Sequence, residues 1–333
     1  MRRALVTGAT GGLGLALTAA LLAEGYVVRA TGRDALAAQR LRAMGAETVE
    51  ADLIEEPQHA VGLCDGVDVV FHAAALSSPW GRARTFERVN VEMTRALLDA
   101  ARLAGCQGLI FVSSPSIYAE MRDRLDLTEA DPAARRPLNA YARTKLAAER
   151  LVLAANGPDF FTVAIRPRAL VGPDDKVLLP RLLDLVARGR APLPRGGRAL
   201  VELTDTRDAA HALILADQRR GEVGGRVFNI SGAAPISVRA FAMDLAAAMG
   251  LSLRIVPTPW PLLYGAATLA QVVANLLPGR PEPPLTPYGV ATLAFSQTFD
   301  LAAARRDLGY EPRHDARTAA LVLARRRREG SWP

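Results

Sequence analysis

Residues 6–14 read VTGATGGLG and place Gly8, Gly11 and Gly14 three apart, between a short apolar run, ALVTG, and a helical one, LALTAALLAEG. Glycine lets a backbone turn sharply and come close to a pyrophosphate. The amino terminus of the following helix offers unpaired N–H groups and the positive end of its dipole. The spacing is G-x-x-G-x-x-G and not the literal G-x-G-x-x-G, but the physics is the same, and Thr10, Gly12 and Leu13 belong to the same loop. The glycines also argue against reading the basic, apolar start of the chain as a signal peptide, because they break the apolar stretch into strand, loop and helix.

Working outward, short apolar runs alternate with helical ones. YVVRAT, ALAAQRLRAMG and ETVEADL complete a βαβαβ unit, and VDVVFHAAA, VEMTRALLDAARLAG, GLIFVSS, YARTKLAAERLVLAAN and FTVAIRP continue it. Strands separated by helices of this length predict an α/β fold, a doubly wound parallel sheet of Rossmann type. After Pro167 the pattern loosens into loops rich in Pro, Gly and Arg. We therefore expect a dinucleotide-binding domain over 1–167 and a smaller, mostly helical substrate-binding region over 168–333, with parts of 199–232, such as VFNISG, returning to the main sheet.

The 333 residues are 50% hydrophobic, which fits a globular enzyme-sized protein. The net charge of +7 is spread along the chain without aromatic interleaving, so no nucleic-acid partner is expected. One dense run, Arg325 to Arg328, ends a helical stretch, where cations suit the dipole. Cys64 and Cys106 stand alone, with neither metal-ligand spacing nor a disulfide framework. They fit a reducing, cytoplasmic setting, and no metal site is expected.

The end of the second strand bears on the cofactor, because an acid there binds a ribose 2′-hydroxyl and repels a 2′-phosphate. Here that place falls on Gly32, followed by Arg33, whose fork suits phosphate. NADP(H) is the expectation, with NAD(H) as the other cofactor, since Asp34 adjoins. Asp52 is a candidate for the adenine amine or, equally, a turn cap.

Lysine occurs only at 145 and 176 among 41 Lys+Arg, so a lysine at 145 suggests chemistry that a guanidinium cannot do. Tyr141 lies one helical turn before Lys145, on the same face. With the glycine loop and the serines of GLIFVSSPS, the pair becomes specific. The chain resembles an extended short-chain dehydrogenase/reductase. TGATGGLG, HAAA (72–75), VNVEMT (89–94), VSSPSIY (112–118), YARTK (141–145) and RPRALVGP (166–173) follow in that family's order, and FDLAAARRDLGYEP (299–312) matches its carboxyl-terminal signature.

The resemblance implies that Tyr141 is the general acid/base, that Lys145 lowers its pKa and holds the nicotinamide ribose, and that Ser114 orients the substrate oxygen. It also implies cofactor contacts for Leu53, Ala73, Ala74, Asn90, Pro167 and Arg168, with a structural bond as the other reading of Asn90, and substrate contacts for Ser77, Trp80 and Ser116. His72 reads as packing or backbone bonding, and Asp205 and Asp208 as acids at a helix start.

Within the family the choice lies between nucleotide-sugar epimerases or dehydratases and oxidoreductases of apolar alcohols. LSSPWG (76–81) resembles the loop of the 3β-hydroxysteroid dehydrogenase-like group, and residues 260–279 carry no charge. A helix over 262–277 rises about 24 Å, short of a ~30 Å hydrocarbon core. It reads as a core helix, a substrate lid or a peripheral membrane contact. Arg198 stands where sugar-diphosphate enzymes carry a phosphate-binding arginine, but Ala199 and Leu200 depart from that pattern. The expected reaction interconverts a ketone and a secondary alcohol on a bulky apolar substrate, a 3-hydroxysteroid or a 2-alkyl-3-oxoalkanoate. A nucleotide-sugar enzyme with tightly bound NAD and a non-catalytic NADP-binding sensor are the alternatives. The resemblance further implies a homodimer through the helix carrying Tyr141 and its neighbour.

Overall fold

The computed structural model describes residues 1–54 and 59–332. Seven parallel strands form one sheet: β1 (Arg3–Thr7), β2 (Val27–Thr31), β3 (Glu47–Val49), β4 (Val69–His72), β5 (Gly108–Val112), β6 (Phe161–Pro167) and β7 (Val227–Ile230). Their order is β3-β2-β1-β4-β5-β6-β7, so the chain reverses direction across the sheet between β1 and β4. Ligands of such sheets lie outside the carboxyl ends of the strands at that switch point, which is where the glycine loop leaves β1.

The helices that matter below are α1 (Gly12–Ala23), α2 (Ala35–Ala43), α3 (Met93–Leu103), α4 (Ala140–Ala154), α5 (Leu179–Ala187), α6 (Thr206–Gln218), α7 (Val238–Ala248), α8 (Trp260–Leu276), α9 (Pro287–Ala294) and α10 (Ala316–Arg328). Side chains alternate across the sheet. Ala4 and Val6 of β1 join a core with Leu17 of α1 and Leu213 of α6. Leu5 faces the other way, into a core with Leu97 of α3 and Val152 of α4. Covered on both faces, the strands read as continuous apolar runs, and all five residues of β5 are buried.

β7 pairs with β6, Val227 opposite Ala164 and Ile230 opposite Pro167, and so brings a strand from after residue 168 to the sheet edge. The rest of the carboxyl-terminal half builds its own core, from Leu183 of α5, Phe241 and Leu245 of α7 and Leu323 of α10. Arg325 to Arg328 form the last turn of α10.

α8 is the uncharged helix anticipated from the sequence, but it is not a core helix. Only Ala267 and Ala274 are buried, while Leu262, Leu269 and Leu276 stand 68%, 65% and 81% exposed. Among the described residues no helix is long and apolar enough to cross a membrane. Cys64 and Cys106 are both free and buried, and no cluster of metal ligands occurs among the described residues.

Candidate active site

The glycine loop is packed so closely that side chains have no room. Gly8 has φ of +68°, and a Cβ there would lie 2.7 Å from the Ala74 backbone nitrogen. A Cβ on Gly14 would meet the Gly8 carbonyl at 2.2 Å. Gly11 caps α1 without a side-chain bond, and no acid occupies the first turn, so the helix start keeps its N–H groups and its positive character for an anion. These features fit a dinucleotide pyrophosphate, with Ala73 and Ala74 forming the facing wall.

At the adenosine end, a Cβ on Gly32 would fall 2.3 Å from Thr10 Oγ1, so the loop itself disfavours an acid at that position. The Asp34 carboxylate is committed elsewhere: it caps α2 by accepting from Ala37 N and pairs with Lys176 at 2.7 Å. Arg33 is exposed, with the Asp52 carboxylate 3.9 Å away. Asp52 also accepts from Ile54 N, the turn-capping role, while Leu53 is buried in the second core. The segment around Lys176 straps the loop, since Asp174 pairs with Arg40 at 2.6 Å and its carbonyl lies against Gly12.

α4 begins at Asn139, whose side chain accepts from Ala142 N, and carries Tyr141 and Lys145 on one face. The Ser114 and Ser77 hydroxyls lie near enough to the Tyr141 phenol to influence its ionisation. Burial raises its pKa, and the two serines oppose that rise. Lys145 is 2% exposed; its ammonium donates to the Val112 carbonyl and sits 4.0 Å from the centre of the Phe111 ring. The expected lowering of the phenol pKa by Lys145 is not found here. The phenol moves up, through burial, and it is Lys145 that is driven down, to about 7, by its own desolvation against the pull of Glu149. A cation enclosed by an aromatic ring and a backbone holds its proton weakly.

Asn90 lies in a π-helical turn, Arg88–Glu92, just before α3. Its Oδ1 accepts from Leu76 N at 2.8 Å, and its Nδ2 donates to Leu76 O and to Thr144 Oγ1. Asn90 therefore makes the structural bond. It pins the loop carrying Ser77 to the helix carrying Tyr141. His72 is buried between Thr7 and Thr94, sharing a hydrogen bond with each hydroxyl, and desolvation lowers its pKa to about 3. It is a neutral structural residue.

Ser114 also caps the short helix Pro115–Tyr118 by accepting from Ser116 N, and the Ser116 hydroxyl is buried without a partner among the described residues. Trp80 is directed elsewhere, donating to the Arg280 carbonyl beyond α8. Pro167 closes β6, and the Arg168 main chain bonds Ile230. Asp205 caps α6, and Asp208 accepts from Arg313, His314 and the His314 ring, so the two acids do not form a hydrolytic pair.

Sequence reading missed three groups. Glu149, one further turn along α4 from Lys145, accepts from Ser113 at 2.6 Å and pairs with Arg166 at 2.5 Å, both partners buried. The i, i+4 spacing from Lys145 was the available signal. Tyr288 of α9 lies near both Tyr141 and Arg168 and has its pKa raised to about 12, by burial first. No local pattern marks it.

The NAD dependent epimerase/dehydratase family matches residues 4–231. A 4-hydroxy-2-methyl-3-oxo-4-farnesyl-3,4-dihydroquinoline-1-oxide ketoreductase of Stigmatella aurantiaca is 35% identical over 333 residues, 99% of each chain. A 2-alkyl-3-oxoalkanoate reductase of Stenotrophomonas maltophilia is 33% identical over 313 residues, 92% of this chain and 94% of the other. Among solved structures, MoeE5 in complex with UDP-glucose and NAD superposes with a TM-score of 0.76 at 25% identity, covering 98% of this chain and 99% of that one. With the loop, the parallel sheet and the serine, tyrosine and lysine in that order, the chain belongs to the NAD-dependent epimerase/dehydratase family, the extended short-chain dehydrogenase/reductases.

Proposed function

We propose that this protein reduces a ketone to a secondary alcohol on a bulky apolar substrate of the 2-alkyl-3-oxoalkanoate type, using NADPH. The observation that carries the reading is the buried phenol of Tyr141 beside the Ser114 and Ser77 hydroxyls, with Lys145 one helical turn away. A dinucleotide whose pyrophosphate the glycine loop would hold would supply the hydride from its nicotinamide. The chain's own residues handle the proton and the geometry. Ser114 aligns the carbonyl oxygen, and Tyr141, protonated at neutral pH because burial raises its pKa, donates to that oxygen as negative charge develops. Lys145, one turn away, is the cation that re-protonates the phenolate or steadies it.

The names of two relatives aligned over more than nine-tenths of their length, a ketoreductase and a 2-alkyl-3-oxoalkanoate reductase, support this reading, as does the uncharged α8. NADPH preference is proposed from Gly32 and Arg33. A 3-ketosteroid is the second candidate of the same chemistry. The likeness to MoeE5 with UDP-glucose favours a nucleotide-sugar reading, but Arg198, the residue expected to bind a diphosphate, is exposed and donates to the Arg195 carbonyl. Lipid contact through the exposed face of α8 and dimerisation through α4 belong to the same proposal, tested by vesicle sedimentation and sedimentation velocity.

Incubation with NADPH and a panel of 3-oxoacids, ketosteroids and nucleotide sugars tests the function. Reduction of the apolar ketones is expected, and Tyr141→Phe should lose turnover by about 10²- to 10⁴-fold while still binding NADPH. Turnover of nucleotide sugars alone would overturn it.

A further inference from the structure

Arg168 follows the last residue of β6, and its main chain is already used. Its N–H donates to the Ile230 carbonyl at 2.8 Å, and its own carbonyl accepts from the Thr204 hydroxyl. The side chain is different: Nε is buried and has no hydrogen-bond partner among the described residues. A buried N–H left without an acceptor carries an uncompensated desolvation cost, so an orphan of this kind asks for a ligand.

The nearest candidate within the chain does not supply one. Glu202 lies close enough to act on Arg168, but its Oε1 accepts from Phe299 N and its Oε2 is itself buried and unpartnered. Burial raises the Glu202 pKa, which favours the neutral acid. The second neighbour, Tyr288, is a phenol whose raised pKa keeps it uncharged.

Position narrows the ligand. β5 and β6 run parallel, Val112 opposite Ile165, and Ser113 N donates to Ile165 O, so Ser114 and Arg168 leave the same edge on adjacent strands. Adjacent strands are about 4.8 Å apart, whereas the glycine loop leaves β1, three strands away and roughly 14 Å distant by that spacing. The cofactor pyrophosphate is therefore the wrong anion for Arg168. Tyr288 lies near enough to feel both Arg168 and Tyr141, which sets the guanidinium on the same side as the phenol. The cleft that Arg168 lines is mixed in character, with Tyr118, Ala291 and Phe295 beside the charged Glu120, Arg122 and Arg124.

We propose that the Arg168 side chain binds the carboxylate of a 3-oxo acid while Ser114 and Tyr141 hold its ketone. The inference rests on the ketoreductase reading above and adds the substrate's charge. A carboxylate one carbon from the ketone matches an anion site one strand from the proton donor, and the guanidinium fork accepts it through two parallel hydrogen bonds. A steroid offers no such group.

The experiment uses the full chain with NADPH and compares a 2-alkyl-3-oxoalkanoate with its methyl ester, in the wild type, Arg168→Gln and Arg168→Lys. In Arg168→Gln the ratio of kcat/KM for acid over ester should fall by roughly 10- to 100-fold, and Arg168→Lys should recover part of it. An equal loss on acid and ester, or a loss on neither, overturns the proposal. Calorimetry with laurate separates it from the ketoreductase reading: wild type should bind the fatty acid and Arg168→Gln should bind it at least tenfold more weakly. Arg168-dependent laurate binding without reduction of any ketone would sink the ketoreductase reading and keep the anion site. Unchanged laurate affinity would sink the site.

Discussion

Asn90 Nδ2 donates to Thr144 Oγ1 at 3.1 Å, joining the π-helical turn before α3 to the middle of α4, between Tyr141 and Lys145. Because Asn90 Oδ1 also accepts from Leu76 N, the loop with Ser77 and the helix with Tyr141 share one amide. Asn90→Ala removes all three side-chain bonds and leaves the part-buried Leu76 N–H without its acceptor. We expect kcat to fall by about 10- to 100-fold with little change in NADPH affinity, measured by steady-state kinetics and calorimetry. Asn90→Asp, which restores the acceptor, should recover part of kcat. Equal losses in both variants would make Asn90 merely a stability residue.

With two lysines in the chain, reductive ¹³C-methylation gives a simple spectrum. The Lys145 resonance should titrate near pH 7 in the protein without cofactor, because burial depresses it. Between pH 7 and 10 the unfolded chain binds a proton that the folded one does not, so Lys145 makes stability rise with pH across that window. Lys145→Met should flatten the slope of urea midpoints there. A Lys145 resonance titrating above pH 10 contradicts the geometry.

His72 gives the acid side. Its folded pKa of about 3 lies below the ordinary 6.5, so between those values the unfolded chain takes up a proton that the native protein refuses. Stability should decline as pH drops below about 6.5. His72→Ala should lose about 2–4 kcal/mol at neutral pH, by emptying a buried site and stranding Thr7 and Thr94, and should show a shallower acid slope in denaturant titrations.

Arg33 is exposed beside Gly32, with a weak 3.9 Å contact to Asp52. Arg33→Ala should raise KM for NADPH about tenfold or more while leaving KM for NADH nearly unchanged. A wild type that prefers NADH in the same assay would refute the assignment of the 2′-phosphate to this corner.

Much of this was written locally. The glycines at 8, 11 and 14 announce a turn that only glycine can make, and the alternation of apolar runs with helices implies the parallel sheet. Tyr141 and Lys145 share a helix face by spacing alone. The Glu149–Arg166 pair was not legible as a pair, because its partners come from α4 and β6 and meet only when the sheet is assembled. The same holds for Tyr288, brought to Tyr141 from almost 150 positions later in the chain.

The amino-acid order by itself set the fold class, the glycine loop and the pairing of Tyr141 with Lys145 on one helix face, since each depends on periodicity or on contacts within one turn of helix. Only the tertiary structure decided which way the shifts run: that Lys145 is enclosed by β5 and loses proton affinity, that Asn90 is spent on Leu76 and Thr144, and that Arg168 Nε is buried without a hydrogen-bond partner among the described residues. Those outcomes depend on how much water each charge loses, and desolvation is a property of the packed neighbours from other strands and helices, which no stretch of sequence carries.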